Sequence, residues 1–107
     1  MSFTPETLAE EMRKRGDLWA DLEAAAQAME DTKHSILAEC MADWPEDSNA
    51  AAETKARRDP RYKNHVLGMV EARRKANRAK VAYDVIRSYE GLWRTTEATK
   101  RAEMNLK

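Results

Sequence analysis

The positions of the prolines divide this chain into two long stretches. Its three prolines stand at positions 5, 45 and 60, and proline fits the first turn of a helix but not its interior. Thr4-Pro5 and Asp59-Pro60 each pair a capping residue with proline, which is typical of a helix start. Trp44-Pro45 ends the first stretch, because the residue before a proline avoids the helical region. We therefore expect an acidic helical segment, a connector and a long basic helix over residues 5–43, 44–59 and 60–104.

Apolar residues recur along the first stretch at alternating steps of three and four, which indicates a helix packed along a seam. Eight of eleven positions in this frame are apolar: Leu8, Met12, Trp19, Leu22, Ala26, Met29, Ile36 and Cys40. Gly16-Asp17 lies inside the stripe, and glycine weakens a helix whereas aspartate caps one. One bent helix and two shorter helices both fit this pattern. In the connector, Asp47 or Ser48 can cap a short helix over residues 50–58.

The second stretch has apolar residues on two sides. One stripe consists of Tyr62, His65, Met69, Ala72, Ala76, Ala79, Tyr83, Ile86 and Trp93. The other lies about 160–180° around the same helix and consists of Leu67, Val70, Val81, Val85 and Leu92. A helix with two apolar faces must contact two neighbours, which one short chain can hardly supply over this length. We infer a homo-oligomer.

Together these patterns predict an all-α fold in one domain over residues 1–107. It is a helical hairpin of two long helices with a short connector, assembling into a homo-oligomeric helical bundle or ring. We assign the oligomer interface to large and small residues of the stripes, namely Trp19, Leu22, Met29, Ile36, Met69, Ala72, Ala76, Ala79, Tyr83, Ile86 and Trp93. No apolar run approaches the ~20 residues of a membrane span. With a single cysteine and no signal-peptide pattern, we expect a cytoplasmic protein.

Charge is distributed unevenly along the chain. Residues 1–48 hold 12 acids and 4 bases, whereas residues 49–107 hold 7 acids and 15 bases. Ten bases crowd into residues 55–80, which predicts either a site for a polyanion or a basic half that pairs with the acidic half. We assign nucleic-acid binding to this block and to a tyrosine within it that can stack on an unpaired base. These residues are Lys55, Arg57, Arg58, Arg61, Tyr62, Lys63, Arg73, Arg74, Lys75, Arg78 and Lys80.

Residues for catalysis or metal binding are scarce. The two histidines, His34 and His65, and the lone Cys40 have no metal-ligand spacing. The three glycines are isolated, so no phosphate-binding loop is present. We expect no enzymatic activity, no cofactor and no metal. His65 is expected to be a satisfied interface residue and Cys40 a small core residue.

Residues 72–104, ARRKANRAKVAYDVIRSYEGLWRTTEATKRAEM, join a basic stretch to the sequence KVAYD. In that order they resemble the recombination mediators of T4-type bacteriophages, the UvsY family. The resemblance covers about a third of the chain. It implies a helical ring oligomer that binds single-stranded DNA and helps to load a strand-exchange recombinase onto DNA coated by single-strand-binding protein. It also implies DNA contact at Arg74, Lys75, Arg78 and Lys80.

We therefore expect a non-enzymatic, oligomeric protein that binds single-stranded DNA and assists phage homologous recombination in the host cytoplasm. A recombinase and a single-strand-binding protein are its candidate partners, and no membrane is involved. One alternative is a phage structural or host-defence-inhibiting module, in which the charge serves protein docking and no nucleic acid is bound. Another is a duplex-binding regulator, which would bind duplex DNA more tightly than single strands.

Overall fold

Residues 3–106 are described in the computed structural model, and they form three helices. Helix α1 spans Pro5–Met41, α2 spans Asn49–Ala56 and α3 spans Pro60–Leu106. No strand occurs among the described residues. The all-helical fold and the two long helices joined by a short connector are confirmed. The molecule is a rod of 86 × 20 × 16 Å.

Each helix begins where a capping side chain is available. The hydroxyl of Thr4 accepts the backbone N–H three residues on at 3.2 Å, and Pro5 occupies the first turn of α1. The hydroxyl of Ser48 caps α2 in the same way at 3.3 Å. The carboxylate of Asp59 accepts the backbone N–H of Arg61 at 2.8 Å, next to Pro60. These bonds satisfy amide groups that have no partner within the helix, so the predicted starts are confirmed.

Helix α1 continues through Gly16 without a break. The ring of Tyr83 on α3 lies against this position, since a Cβ added to Gly16 would be 3.5 Å from Tyr83 Cε2. The Trp19 and Tyr83 rings are 5.5 Å apart, and Arg15 Nη1 donates to the carbonyl oxygen of Ala82 at 2.9 Å. Contacts with α3 therefore stabilise α1 where glycine weakens it.

The two long helices are antiparallel. The start of α1 lies near the second half of α3, since Phe3 contacts Tyr89 with ring centroids 5.7 Å apart. Near the other end of the pair, His65 Nε2 donates to the carbonyl oxygen of Met29 at 2.8 Å. Because the start of α1 reaches only to about residue 90 of α3, residues 91–106 of α3 extend beyond α1. We call residues 62–90 the paired part of α3 and residues 91–106 the tail.

The stripe that we assigned to an oligomer interface lies inside the hairpin. Ala26 and Ala76 are fully buried, Ile86 is 1% exposed, and Ala79 is buried as well. The three alanines are small and let α1 and α3 approach closely. The half-buried members of the stripe lie along the same contact: Trp19, Leu22, Met29, Ile36, Met69, Ala72 and Tyr83. Within one chain these residues pack against the opposite helix, and their assignment to an oligomer interface stays a prediction, as does the oligomer itself. Trp93 lies in the tail and is 40% exposed.

A small core closes the end of the hairpin at the connector. It consists of Leu37 and Cys40 of α1, Ala56 of α2 and Tyr62 of α3. Cys40 is fully buried, and this burial raises the pKa of its thiol. The interpretation of Cys40 as a core residue is confirmed. The His65 ring of α3 contacts α1 at two places, because Nε2 lies 3.4 Å from Thr32 Oγ1 and 2.8 Å from the carbonyl oxygen of Met29.

Candidate nucleic-acid interface

One base of the predicted site, Arg73, is committed to α1. Its Nη1 lies 2.6 Å from Glu23 Oε2, and its Nη2 and Nε lie 2.7 and 2.8 Å from the two carboxylate oxygens of Glu30. The hydrogen bonds raise the pKa of Arg73 and lower that of Glu30. Glu23 and Glu30 are seven residues apart and share a face of α1, but only the register of the hairpin brings Arg73 between them. Arg73 therefore joins the two helices, and its side chain is 30% exposed.

Arg61 is also occupied by carboxylates. Its Nη2 contacts Asp43 at the end of α1 and lies 2.8 Å from Asp59 Oδ2. The bonds from Arg61 lower the pKa of the Asp59 carboxyl to about 2. Arg61 therefore fixes the start of α3 against the end of α1.

The bases of α2 and its C-terminal cap pair within the connector or against its rings. Lys55 Nζ lies 2.7 Å from Asp47 Oδ2 and 4.3 Å from the centre of the Trp44 ring. Arg57 Nη2 lies 2.6 Å from Glu53 Oε1, and Arg57 also lies over the ring of Tyr62. Both guanidinium and ammonium groups are about half exposed, so these pairs stabilise the connector weakly.

Tyr62 requires a correction. We assigned it a role in stacking on an unpaired base, but its side chain is only 6% exposed and lies in the core between α1 and α2. Its hydroxyl is 3.4 Å from Arg57 Nη1. Tyr62 belongs to the apolar stripe of α3 that packs against α1, and its side chain is therefore buried. We leave Tyr62 out of the nucleic-acid interface.

The other bases of the block face solvent. Within residues 3–106, no carboxylate oxygen lies within 4.0 Å of five of them, namely Arg58, Lys63, Lys75, Arg78 and Lys80. Arg74 has one distant partner, Glu71, at 3.8 Å, and its side chain is 60% exposed. An exposed pair of this kind contributes little, so Arg74 can exchange Glu71 for another anion.

Three of these bases share the face of α3 that points away from α1. At about 100° per residue, Lys63, Arg74 and Arg78 lie within about 60° of one another. We call them the outer basic face. It extends over about 22 Å along the helix axis. Lys75 and Lys80 lie on its two flanks, and Lys80 Nζ is 6.0 Å from the centre of the Trp19 ring.

Apolar side chains and an amide complete this surface. Val70 and Val81 are 58% and 62% exposed, and with Asn77 they line a shallow groove beside the side chains of Arg73, Arg74 and Arg78. Asn77 lies between Val70 and Val81 on the same side of α3. In the groove it offers both a hydrogen-bond donor and an acceptor beside the guanidinium groups. The groove can hold an anion whose neighbouring part is apolar or aromatic.

Groups for other chemistry are not assembled. Among residues 3–106, no three His, Cys, Asp or Glu side chains are arranged to hold a metal ion. None of the three helices, over the same residues, combines the length and apolar character of a membrane-spanning helix. Comparison with known protein families, with curated proteins and with solved structures found no match to this chain. We therefore infer function from the chain's own geometry.

Proposed function

We propose that this chain is a non-enzymatic, self-associating helical protein that binds single-stranded DNA through the outer basic face. One observation carries the proposal. Arg74 and Arg78 lie one turn apart on an exposed surface, and the only carboxylate paired with either of them among residues 3–106 is Glu71, 3.8 Å from Arg74. Arg73, in contrast, is held by two carboxylates of α1. The acidic helix therefore neutralises only part of the basic block. The remaining cations can bind phosphates and release their counterions.

The side chains between the arginines favour a single strand over a duplex. Val70 and Val81 are exposed beside the guanidinium groups. The faces of unpaired bases can contact such apolar side chains, whereas in a duplex these faces are stacked on neighbouring base pairs. Helix α3, with 47 residues, also differs from the short recognition helices that enter the major groove. Binding without sequence preference is expected, because most of the available contacts are to phosphate.

The resemblance of residues 72–104 to phage recombination mediators extends this proposal. The four residues to which it assigns DNA contact, Arg74, Lys75, Arg78 and Lys80, are all exposed. We propose that the protein assists homologous recombination, with a recombinase or a single-strand-binding protein as its partner. This part of the proposal rests on the resemblance.

The test is a titration of a labelled single-stranded oligonucleotide at 50 and 200 mM salt. Four phosphate contacts predict that the affinity falls about fiftyfold between these concentrations. Replacing Arg74 and Arg78 together by Ala removes two contacts and makes the salt dependence correspondingly shallower. The matched control is the double variant Arg94→Ala, Arg101→Ala in the tail, which loses the same charge. Binding that is absent, independent of salt, or weakened equally by both variants would overturn the proposal.

A second candidate is a protein-docking module without nucleic-acid binding. It is favoured by Leu67 and Val70, which are 68% and 58% exposed next to the basic residues, because apolar residues ringed by polar ones are typical of protein interfaces. Here Leu67→Ala would weaken capture of a partner from nuclease-treated lysate. The pure protein would not bind the oligonucleotide at either salt concentration.

A further inference from the structure

The second half of α3 presents an exposed seam that contains no charged residue. Its positions follow alternating steps of four and three along the side that faces away from α1. They are Val81, Val85, Ser88, Leu92, Thr95, Thr99, Ala102 and Leu106, all of them exposed. The seam covers 26 residues, or about 38 Å of helix, and five of its eight positions are apolar.

The hydroxyl groups on this seam already have hydrogen-bond partners. Ser88 Oγ donates to the carbonyl oxygen of Asp84 at 3.0 Å. Thr95 and Thr99 donate to the carbonyl oxygens four residues before them, also at 3.0 Å. A second helix can therefore cover the seam without leaving a buried donor unpaired, which is the main cost of burying polar side chains.

The tail needs such a cover more than the rest of α3 does. It has 16 residues and α1 does not reach along it, so within one chain it lacks the packing from which helices in proteins gain most of their stability. Three of its residues are threonines, which are weaker helix formers than alanine or leucine. Leu92 and Leu106 are 67% and 88% exposed. A partner on the seam would bury these side chains and stabilise the helix.

We propose that a second copy of this chain covers the seam, with its own residues 81–106 running antiparallel. In this register Val81 meets Leu106 of the second copy, Val85 meets Ala102, Ser88 meets Thr99, and Leu92 meets Thr95. Val85 and Leu92 are thus set against smaller side chains, which leaves them room between the two helices. The positions beside the seam also match, because Asp84 faces Asn105 and Gly91 faces Ala98, with no like charges opposed.

Charge selects the antiparallel orientation. The same steps of four and three continue from Val81 back to Arg78 and Arg74. A parallel pair would therefore bring each of these arginines against its own copy, which is destabilising. In the antiparallel register residues 81–106 pair with residues 81–106 of the second copy, so Arg74 and Arg78 lie outside the paired segment. The inference deepens the self-association in the proposed function, and it does not depend on DNA binding.

Sedimentation equilibrium over a range of concentrations tests the interface. We expect a dimer for the unchanged chain and a dissociation constant about a hundredfold higher for Leu92→Glu, because each of two symmetric layers must then desolvate a carboxylate. Met104→Glu is the matched control, since Met104 is similarly exposed at 72% but lies off the seam. An unchanged chain that is monomeric, or two variants with equal effects, would refute the interface.

Disulfide trapping tests the orientation and does not depend on the Glu variant. A mixture of Val85→Cys and Ala102→Cys chains is expected to form the mixed disulfide, whereas Val85→Cys alone is not. The buried Cys40 serves as a control in the unchanged chain. A disulfide formed by Val85→Cys alone would overturn the antiparallel register. The two proposals can fail separately. If the unchanged chain forms the dimer but does not bind the oligonucleotide, only the DNA proposal is refuted. If the unchanged chain binds the oligonucleotide but is monomeric, only self-association is refuted.

Discussion

The paired part of α3 and the tail belong to one uninterrupted helix, yet different contacts hold them. In the paired part, Ala76 is fully buried, Ile86 is 1% exposed, and Arg73 bonds to carboxylates of α1. In the tail, Arg94 pairs with Glu90 of the preceding turn and Lys100 with Glu97 at 3.7 Å, all within α3. Its large apolar side chains are exposed. Long-range contacts therefore stabilise the first segment, whereas only local ones stabilise the second.

This difference shows what helical periodicity alone determines. Both segments repeat apolar residues at helical spacing, but burial occurs only where another helix runs alongside. A helix gains most of its stability in a protein from such packing rather than from its own propensity. The tail is thus the segment of α3 whose packing requires a partner outside the chain. In the proposed dimer, the tail of the second copy is that partner.

The largest expected difference between the two segments is the effect of truncating an apolar side chain. Ile86→Ala is expected to lower the free energy of unfolding by about 2–4 kcal/mol, because it leaves a cavity against α1. Leu92→Ala, at a concentration where the chain is monomeric, is expected to lower it by less than about 0.5 kcal/mol. Urea unfolding followed by circular dichroism measures both. Equal losses would mean that the tail is packed against α1 in solution.

Much of the fold could be read from the sequence, since prolines, capping residues and stripe spacing gave the helices to within a few residues. The partner of each stripe could not be read in this way. Tyr83 and Ala76 show only that their face is buried, and both a second copy and α1 satisfy that pattern. The register of the hairpin decides between them, and it depends on contacts between residues far apart in the chain, such as Trp19 with Tyr83.

The candidate site was predictable to a similar degree. Charge density located the basic block, but it could not separate Arg73 from Arg74. The two are neighbours in sequence and point about 100° apart on the helix, so only Arg73 meets Glu23 and Glu30. Tyr62 illustrates the same limit, because its place between two bases suggested exposure while its place on the apolar stripe determined burial.

The charge contact across the hairpin is expected to have an intermediate effect that depends on pH. Arg73→Gln removes the ion pairs with Glu23 and Glu30 of α1. In the folded chain the pKa of Glu30 is lowered from its ordinary 4.5 by Arg73, so this contact stabilises the fold above that pH and is lost as the pH falls below it. The difference in unfolding free energy between the unchanged chain and Arg73→Gln should therefore be larger at pH 7 than at pH 3.

The control for this experiment is Arg94→Gln, which breaks the pair between Arg94 of the tail and Glu90 one turn before it. Because that pair joins adjacent turns of one exposed helix, its loss should change the unfolding free energy little at either pH. A pH-dependent loss as large as that of Arg73→Gln would show that the tail unfolds together with the hairpin and contradict the distinction between the two segments.

The smallest expected effects come from replacing a glycine by alanine in each segment. At Gly16 the added Cβ would make an ordinary contact of 3.5 Å with Tyr83, and at Gly91 nothing lies within 4 Å. Each substitution removes the cost of glycine in a helix, about 1 kcal/mol. Gly16→Ala should raise the midpoint of thermal unfolding by about 4–8 °C, since α1 unfolds with the hairpin. Gly91→Ala, measured in the Leu92→Glu background to exclude pairing between copies, should leave the midpoint nearly unchanged and slow amide hydrogen exchange in the tail. A midpoint raised equally by both would show that the tail folds cooperatively with the paired part of α3, and its contacts would then have to extend to α1.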